Sequence, residues 1–278
     1  MTFFPFSFGF IGGGNMAEAL IKGMRSKSRA DILVSEPLEQ RRRYLEETYQ
    51  VKTTASNREA AEAAEIIIIA VKPQIIDQAL SGMEDIFGDG PGKQNKNQNK
   101  KLAVSIAAGV RLGYLAEKLG TDNVVRAMPN TPALSGLGMT VLSVRECPLD
   151  QGLFARVKEV FMSVGKVIVM PEKYMDAVTA LSGSGPAFFA LFIEGLVEGA
   201  VRQGLPREAA VELALQTAAG SIRMMEEGID AERLRKMVTS PGGTTQAGLE
   251  VLESRGFKDI LCDTIEAAAG RARELGRG

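Results

Sequence analysis

The stretch Gly9-Phe10-Ile11-Gly12-Gly13-Gly14-Asn15-Met16-Ala17 decides how this sequence is read. It spells G-x-G-x-x-A directly after an apolar run and directly before a helical pattern. Gly12 permits a tight turn, Gly14 lets a bulky anion approach the backbone, and Ala17 lets helix and strand pack closely. The free N–H groups and the dipole of the helix N-terminus suit phosphates, so the strand–loop–helix unit predicts a dinucleotide site.

Working outward, β-rich runs alternate with helical stretches over the first 170 residues. Strands are expected at Phe6–Ile11, Asp31–Ser35, Ile66–Val71, Leu102–Ile106, Asn123–Ala127, Met139–Val144 and Lys166–Met170. Helices are expected at Asn15–Lys27, Leu38–Tyr49, Asn57–Ala64 and Pro73–Met83, with Ser56 and Glu59 forming a capping box. Such alternation implies an α/β fold, a mainly parallel sheet with helices on both faces. The run Ile66 to Val71 is apolar without alternation, as a central strand covered on both sides should be. The run Phe3 to Ile11 lacks a basic start and a cleavage site, so it reads as the first strand and not as a signal peptide.

From Asp176 onward strand-like runs vanish. Helices are expected at Pro186–Gln203, Arg207–Glu227, Thr245–Ser254 and Lys258–Leu275, with Pro206 suited to a first helical turn. Two domains follow, 1–170 and 171–278, the second all-helical. Ala187–Val201 is apolar around most of its circumference, and a domain of ~100 residues has few places to bury such a helix. A homodimer interface is therefore expected. The Gly-, Asn- and Lys-rich stretch from Gly88 through Lys101 has little to bury and reads as a mobile surface loop.

Composition narrows the function. The 278 residues carry 33 Lys and Arg against 34 Asp and Glu, a net charge of −1, which argues against a nucleic-acid partner. Histidine is absent, which removes imidazole bases, His-containing triads and His-ligated metals. Cys147 and Cys262 stand alone, so neither a disulfide framework nor a zinc site is indicated. No stretch reaches the ~20 apolar residues of a membrane span, and a soluble cytoplasmic protein without a metal is expected.

Further candidates lie at strand ends, where open α/β sheets bind ligands. Lys72, in Ala70-Val71-Lys72-Pro73-Gln74, faces the expected crevice, and Ser105 to Gly109 offers small residues against which a nicotinamide could lie. Arg126 to Pro132 ends a further strand in the same way. Glu36 stands where an acidic side chain accepts from the ribose hydroxyls of NAD. Ser35 lies beside it, and Arg41, Arg42 and Arg43 either reach a 2′-phosphate or form the solvated face of a helix. In the helical domain, Ser182 to Pro186 serves packing or a ligand. Ser240-Pro241-Gly242-Gly243-Thr244-Thr245 offers backbone N–H groups and hydroxyls to a small carboxylate. A dinucleotide site plus an anion site, without a histidine, points to hydride transfer. Reduction of a C=N bond is the economical choice, because the nitrogen can be protonated before hydride arrives.

The motifs GFIGGGNMAEAL (9–20), AVKPQ (70–74), RAMPNTPA (126–133), LSGSGPAFF (181–189) and TSPGGTT (239–245) occur in an order that resembles the pyrroline-5-carboxylate reductases. The resemblance spans nearly the whole chain. It implies NAD(P)H-dependent reduction of 1-pyrroline-5-carboxylate, a cyclic imino acid, to L-proline, with NADPH slightly favoured over NADH. It also implies a Rossmann domain followed by a helical dimerisation domain, often assembled into larger rings. Carried over by position, Ile11, Gly12, Gly13, Gly14, Asn15, Ser35, Asn57, Ala70, Val71, Lys72, Pro73, Ala107 and Ala108 would contact the cofactor. Ser240, Gly243, Thr244 and Thr245 would hold the substrate carboxylate, with Thr179 and Glu172 near the ring. Thr179 and Lys72 are the catalytic candidates, and Thr179 or water would serve the ring nitrogen. Glu36 is less usual beside NADPH. The alternatives are a related cyclic-imine reductase, a hydroxy-acid dehydrogenase or a dinucleotide sensor without turnover. Pro186 to Val201 lacks the lysine that a hydroxy-acid dehydrogenase would need, and an intact 240–245 loop argues against a sensor.

Overall fold

A computed structural model describes residues 6–28, 30–87, 101–145 and 149–276. The chain packs into two compact units, residues 1–184 with 268–278, and residues 185–267. The glycine- and lysine-rich stretch 88–100 lies outside the described residues.

The first unit holds an eight-stranded sheet in the order β3-β2-β1-β4-β5-β6-β7-β8. Its strands are β1 (Phe6–Ile11), β2 (Ile32–Ser35), β3 (Lys52–Thr54), β4 (Ala64–Ile69), β5 (Leu102–Ser105), β6 (Val124–Met128), β7 (Gly138–Val144) and β8 (Gly165–Val169). Every neighbouring pair is parallel except β6 and β7. That exception has a simple cause, since residues 129–137 are too few to carry a crossover back to the start of the sheet. The edge strand β3 is absent from the expected set, because the exposed Lys52 and the half-buried Thr53 and Thr54 leave no apolar signature.

Both faces of the sheet are covered, and β4 shows how. Ile66 and Ile68 pack with Phe8, Phe10, Leu20 and Phe161 on one face. Ile67 and Ile69 pack with Ile11, Leu80, Leu115 and Leu119 on the other. All four isoleucines are buried, so alternation is lost although the strand still points successive side chains to opposite faces.

The helix Asn15–Lys27 has the expected bounds. The helix expected at Pro73–Met83 is instead a 3₁₀ turn, Pro73–Ile75, followed by a short helix, Ile76–Leu80. The helices Leu112–Leu119 and Gln151–Met162 complete the cover and were not anticipated. Ser56 accepts the Glu59 N–H at 3.2 Å, but the second half of the expected capping box is missing. The Glu59 carboxylate takes the Thr54 hydroxyl, and the Ser56 N–H goes to Thr54 Oγ1 at 3.1 Å.

Lys101 corrects the expected loop at its end. It is buried, and Nζ donates to the carbonyls of Ala61, Glu62 and Ala64 at 2.6–2.9 Å, closing the turn into β4. Burial pushes its pKa down to about 8.

The second unit contains the helices Gly185–Arg202, Arg207–Glu226, Ala231–Val238 and Thr244–Ser254, and the start of Phe257–Leu275. Pro206 stands one residue before its helix. Phe189 and Leu191 are each more than two-thirds exposed in the single chain, and of the first helix only Gly185 and Val197 are buried. The helical run Glu172–Arg202 also corrects an expectation. By length and composition it would suffice to cross a membrane, with a mean hydropathy of 1.4 over 18 residues. Counting uninterrupted apolar residues misses it, because glycines and Glu194 break the run.

Candidate functional site

The carboxyl ends of β1, β2, β4 and β5 gather most of the expected cofactor residues within the first unit. Gly12 leaves β1 at φ +99°, and its N–H donates to Ser35 O at 2.9 Å. A side chain there would lie 2.7 Å from the Ala70 carbonyl, so glycine is required by conformation and by space. Ala70 donates to Ile11 O at 2.8 Å, tying the end of β4 to the end of β1.

Gly14 is different. It is extended, at φ −71° and ψ −176°, and nothing lies within 4 Å of a side chain built on it. No side chain caps the helix that starts at Asn15, so its first N–H groups and its dipole face open space. An exposed cradle of this kind, rimmed by backbone donors, fits the pyrophosphate of a dinucleotide.

Ser35 is fully buried, and its hydroxyl donates to Asn57 Oδ1. Asn57 in turn donates to Ala79 O at 3.2 Å. Val71 and Pro73 are half-buried and Lys72 is exposed, all just beyond β4. Ala107 is buried and donates to Ser105 Oγ at 3.2 Å, while Ala108 is half-buried.

Glu36 is engaged in a way that the sequence did not suggest. It is 9% exposed, and its carboxylate accepts the Gly13 N–H at 3.0 Å and the Leu38 N–H at 3.1 Å. The arginines behind it are tethered as well. Arg41 donates to Gly13 O at 2.7 Å and pairs with Glu18, and Arg42 donates to the Glu36 and Pro37 carbonyls. Arg43 pairs with Glu39 on the surface. Burial tends to raise the Glu18 pKa, but hydrogen bonds from Tyr49, Arg41 and Tyr44 outweigh it and hold the carboxyl below its usual range. The Gly13 peptide is thus held through its N–H by Glu36 and through its carbonyl by Arg41.

Glu172 and Thr179 also lie in the first unit. Glu172 Oε1 accepts the Leu112 N–H at 2.7 Å and pairs with Arg126 at 3.1 Å. Arg126 is buried inside β6, and a lone charge in the apolar run Val124 to Met128 was the available signal of that pair. Thr179 opens a π-helical turn, Thr179–Gly183, and its hydroxyl donates to Met175 O at 2.8 Å. Such turns recur at functional sites. Asn130 donates to Ser182 O and Oγ at 3.2 and 3.3 Å, and a side chain on Gly183 would strike Met128, so packing explains this part of the 182–186 loop.

In the second unit, Ser240, Gly243, Thr244 and Thr245 open the helix Thr244–Ser254. Gly242 adopts φ +70°, its N–H donates to Gln246 Oε1 at 2.8 Å, and the Gly243 N–H donates to Ser240 O at 3.0 Å. Ser240 and Thr244 are exposed and Thr245 is half-buried. Among the described residues no group of three His, Cys, Asp or Glu side chains could hold a metal ion.

Comparison with known proteins identifies the family. Residues 172–275 match the family model for pyrroline-5-carboxylate reductase dimerisation, and residues 7–109 match that for coenzyme F420-dependent NADP oxidoreductases. A pyrroline-5-carboxylate reductase from Synechocystis sp. is 41% identical, over 97% of this chain and 98% of that protein. The solved pyrroline-5-carboxylate reductase of Coxiella burnetii is 35% identical with a TM-score of 0.86, over 97% of this chain and 98% of that one. The Plasmodium falciparum structure of a pyrroline carboxylate reductase with NADP bound is 31% identical with a TM-score of 0.85, over 99% and 100%.

Proposed function

The chain belongs to the pyrroline-5-carboxylate reductase family, and on that premise we propose how its residues divide the work of reducing 1-pyrroline-5-carboxylate to L-proline. It is an oxidoreductase with a Rossmann-type domain, and its helical domain forms a homo-oligomer. The observation that carries the cofactor half is the contrast between Gly12, closed against Ala70, and Gly14, open beside an uncapped helix.

Residues 1–170 are proposed to hold the dinucleotide, and 171–278 to serve the substrate and dimerisation. When bound, NAD(P)H supplies the hydride that adds to the imine carbon. Gly14 and Asn15 take the pyrophosphate on backbone N–H groups, Gly12 and Gly13 shape the turn with their own N–H groups tied to Ser35 O and Glu36, and Ile11 is the rigid base beneath them. Ser35 and Asn57 line the adenosine side. Ala70, Val71 and Pro73 with Ala107 and Ala108 flank the nicotinamide, where small side chains let a flat ring lie against the backbone. Lys72 adds positive charge at this end. The hydride donor is NADPH or NADH, NADPH slightly favoured by the family resemblance.

Ser240, Gly243, Thr244 and Thr245 are proposed to bind the substrate carboxylate at the start of their helix. Thr179 commits its proton to Met175 O, so its oxygen is left to accept, which suits the N–H of an already protonated imine. Glu172 acts at the substrate end by holding Arg126. No protein acid is needed, and rate comes mainly from proximity and orientation. The surfaces around Phe189 and Leu191 become the homodimer contact, with a larger ring as the assembled state, and the cytoplasm is the proposed location.

The experiment is oxidation of NADPH and of NADH followed at 340 nm, with pyrroline-5-carboxylate and two six-membered cyclic imines. Fast turnover of the five-membered ring supports the reading. Tight dinucleotide binding with turnover only of a six-membered imine would move it to a related cyclic-imine reductase.

A further inference from the structure

We propose that the helical turn Ala272 to Gly276 is a positioning element for the loop that carries Ala107 and Ala108. This rests on the reading that those alanines flank the nicotinamide. The described residues from 268 to 276 belong to the first unit, although the helix Phe257–Leu275 that carries most of them starts in the second. Ala272 is buried there.

The contact is backbone against backbone. Gly109 follows the alanines at φ +81°, and a side chain on it would meet the carbonyl carbon of Leu275 at 3.2 Å and the Gly276 nitrogen at 3.3 Å. Reciprocally, a side chain on Gly276 would lie 2.8 Å from the Gly109 carbonyl oxygen. Each glycine thus leaves the space that the other segment fills. The far end of the same connection is held independently, because the Leu112 N–H donates to Glu172 at 2.7 Å. The stretch between β5 and the helix Leu112–Leu119 is therefore gripped at Gly109 and at Leu112, and Ala107 and Ala108 hang between β5 and that grip. A displacement of ~1 Å at a reacting end can cost about a hundredfold in rate.

The geometry assigns the effect to the nicotinamide end alone. Gly276→Val, and a chain that stops after Arg271, should each lower kcat/KM for the dinucleotide about tenfold or more. The Kd of ADP-ribose, which lacks only the nicotinamide, and of 2′,5′-ADP, which covers only the adenosine half, should stay within twofold of the parent. Undiminished kcat/KM, or equal weakening of dinucleotide and adenosine probes, overturns the proposal. If the shortened chain does not fold, Gly276→Val decides alone. Failure of the underlying cofactor reading shows separately, as a parent protein that binds neither dinucleotide.

Discussion

Replacing Gly14 and Gly12 one at a time separates the two jobs of the glycine loop. At Gly14 the backbone is extended, at φ −71° and ψ −176°, a conformation that valine adopts readily, and its Cβ would meet nothing within 4 Å. Gly14→Val should therefore change stability by no more than ~0.5 kcal/mol, as an exposed substitution does, or about 1 °C in Tm. On the proposed cofactor site its methyls fill the place given to the pyrophosphate, so NADPH affinity should fall at least ~100-fold, equivalent to about 2.7 kcal/mol. Gly12→Ala is the opposite case. Its φ of +99° is strained for alanine, at roughly 1–3 kcal/mol, and its Cβ would sit 2.7 Å from the Ala70 carbonyl. Forcing β1 and β4 apart adds an overpacking cost of about 1–3 kcal/mol. Together these lower Tm by roughly 4–12 °C at ~2 °C per kcal/mol for a chain of this size. Thermal unfolding without ligand and titration of NADPH fluorescence read the two effects apart. Parental NADPH affinity in Gly14→Val, or a Tm loss in that variant as large as in Gly12→Ala, would refute the reasoning.

Three further outcomes are expected. Thr245→Ala should raise KM for the imine severalfold and leave KM for the dinucleotide nearly unchanged, as initial-rate kinetics with each ligand varied will show. Phe189→Glu places a charge on a surface that is 67% exposed in the single chain, and sedimentation velocity should show a shift toward monomer. Lys101 has a folded pKa of about 8 against the ordinary 10.5, so between those values the unfolded chain binds more protons and this residue's contribution to stability rises with pH. Denaturant unfolding from pH 7.5 to 10.5 should show the parent gaining on Lys101→Met, by at most about 3 kcal/mol at ~1.4 kcal/mol per pH unit. A constant difference across that range would contradict the assignment.

The parts legible in the sequence are those whose cause is local. The glycine loop could be read because Gly12, Gly14 and Ala17 stand at a fixed short spacing between an apolar strand and a helix, with Gly12 at a positive φ. The strands β1, β2 and β4 to β7 could be read because burial writes itself into short apolar runs, and β8 because Val167, Ile168 and Val169 are β-branched, although most of it is exposed. The apolar composition of Gly185–Arg202 pointed to an oligomer, in keeping with the dimerisation family model over 172–275 and with Phe189 and Leu191 exposed in the single chain. Family motifs then carried the function further than any single residue could.

Tertiary structure alone decided the pairings between residues far apart in the chain. Glu36 could be placed at the end of β2 from sequence, but only the fold shows its carboxylate on the Gly13 N–H, 23 residues away. Glu172 reaches Leu112 across 60 positions, and Lys101 closes a turn 37 to 40 residues before it. Gly109 and Gly276 need one another across more than half the chain. Patterns along a chain encode conformation and burial, which depend on near neighbours. A hydrogen-bond partner or a close backbone approach depends on where remote segments come to rest, and packing in three dimensions alone sets that.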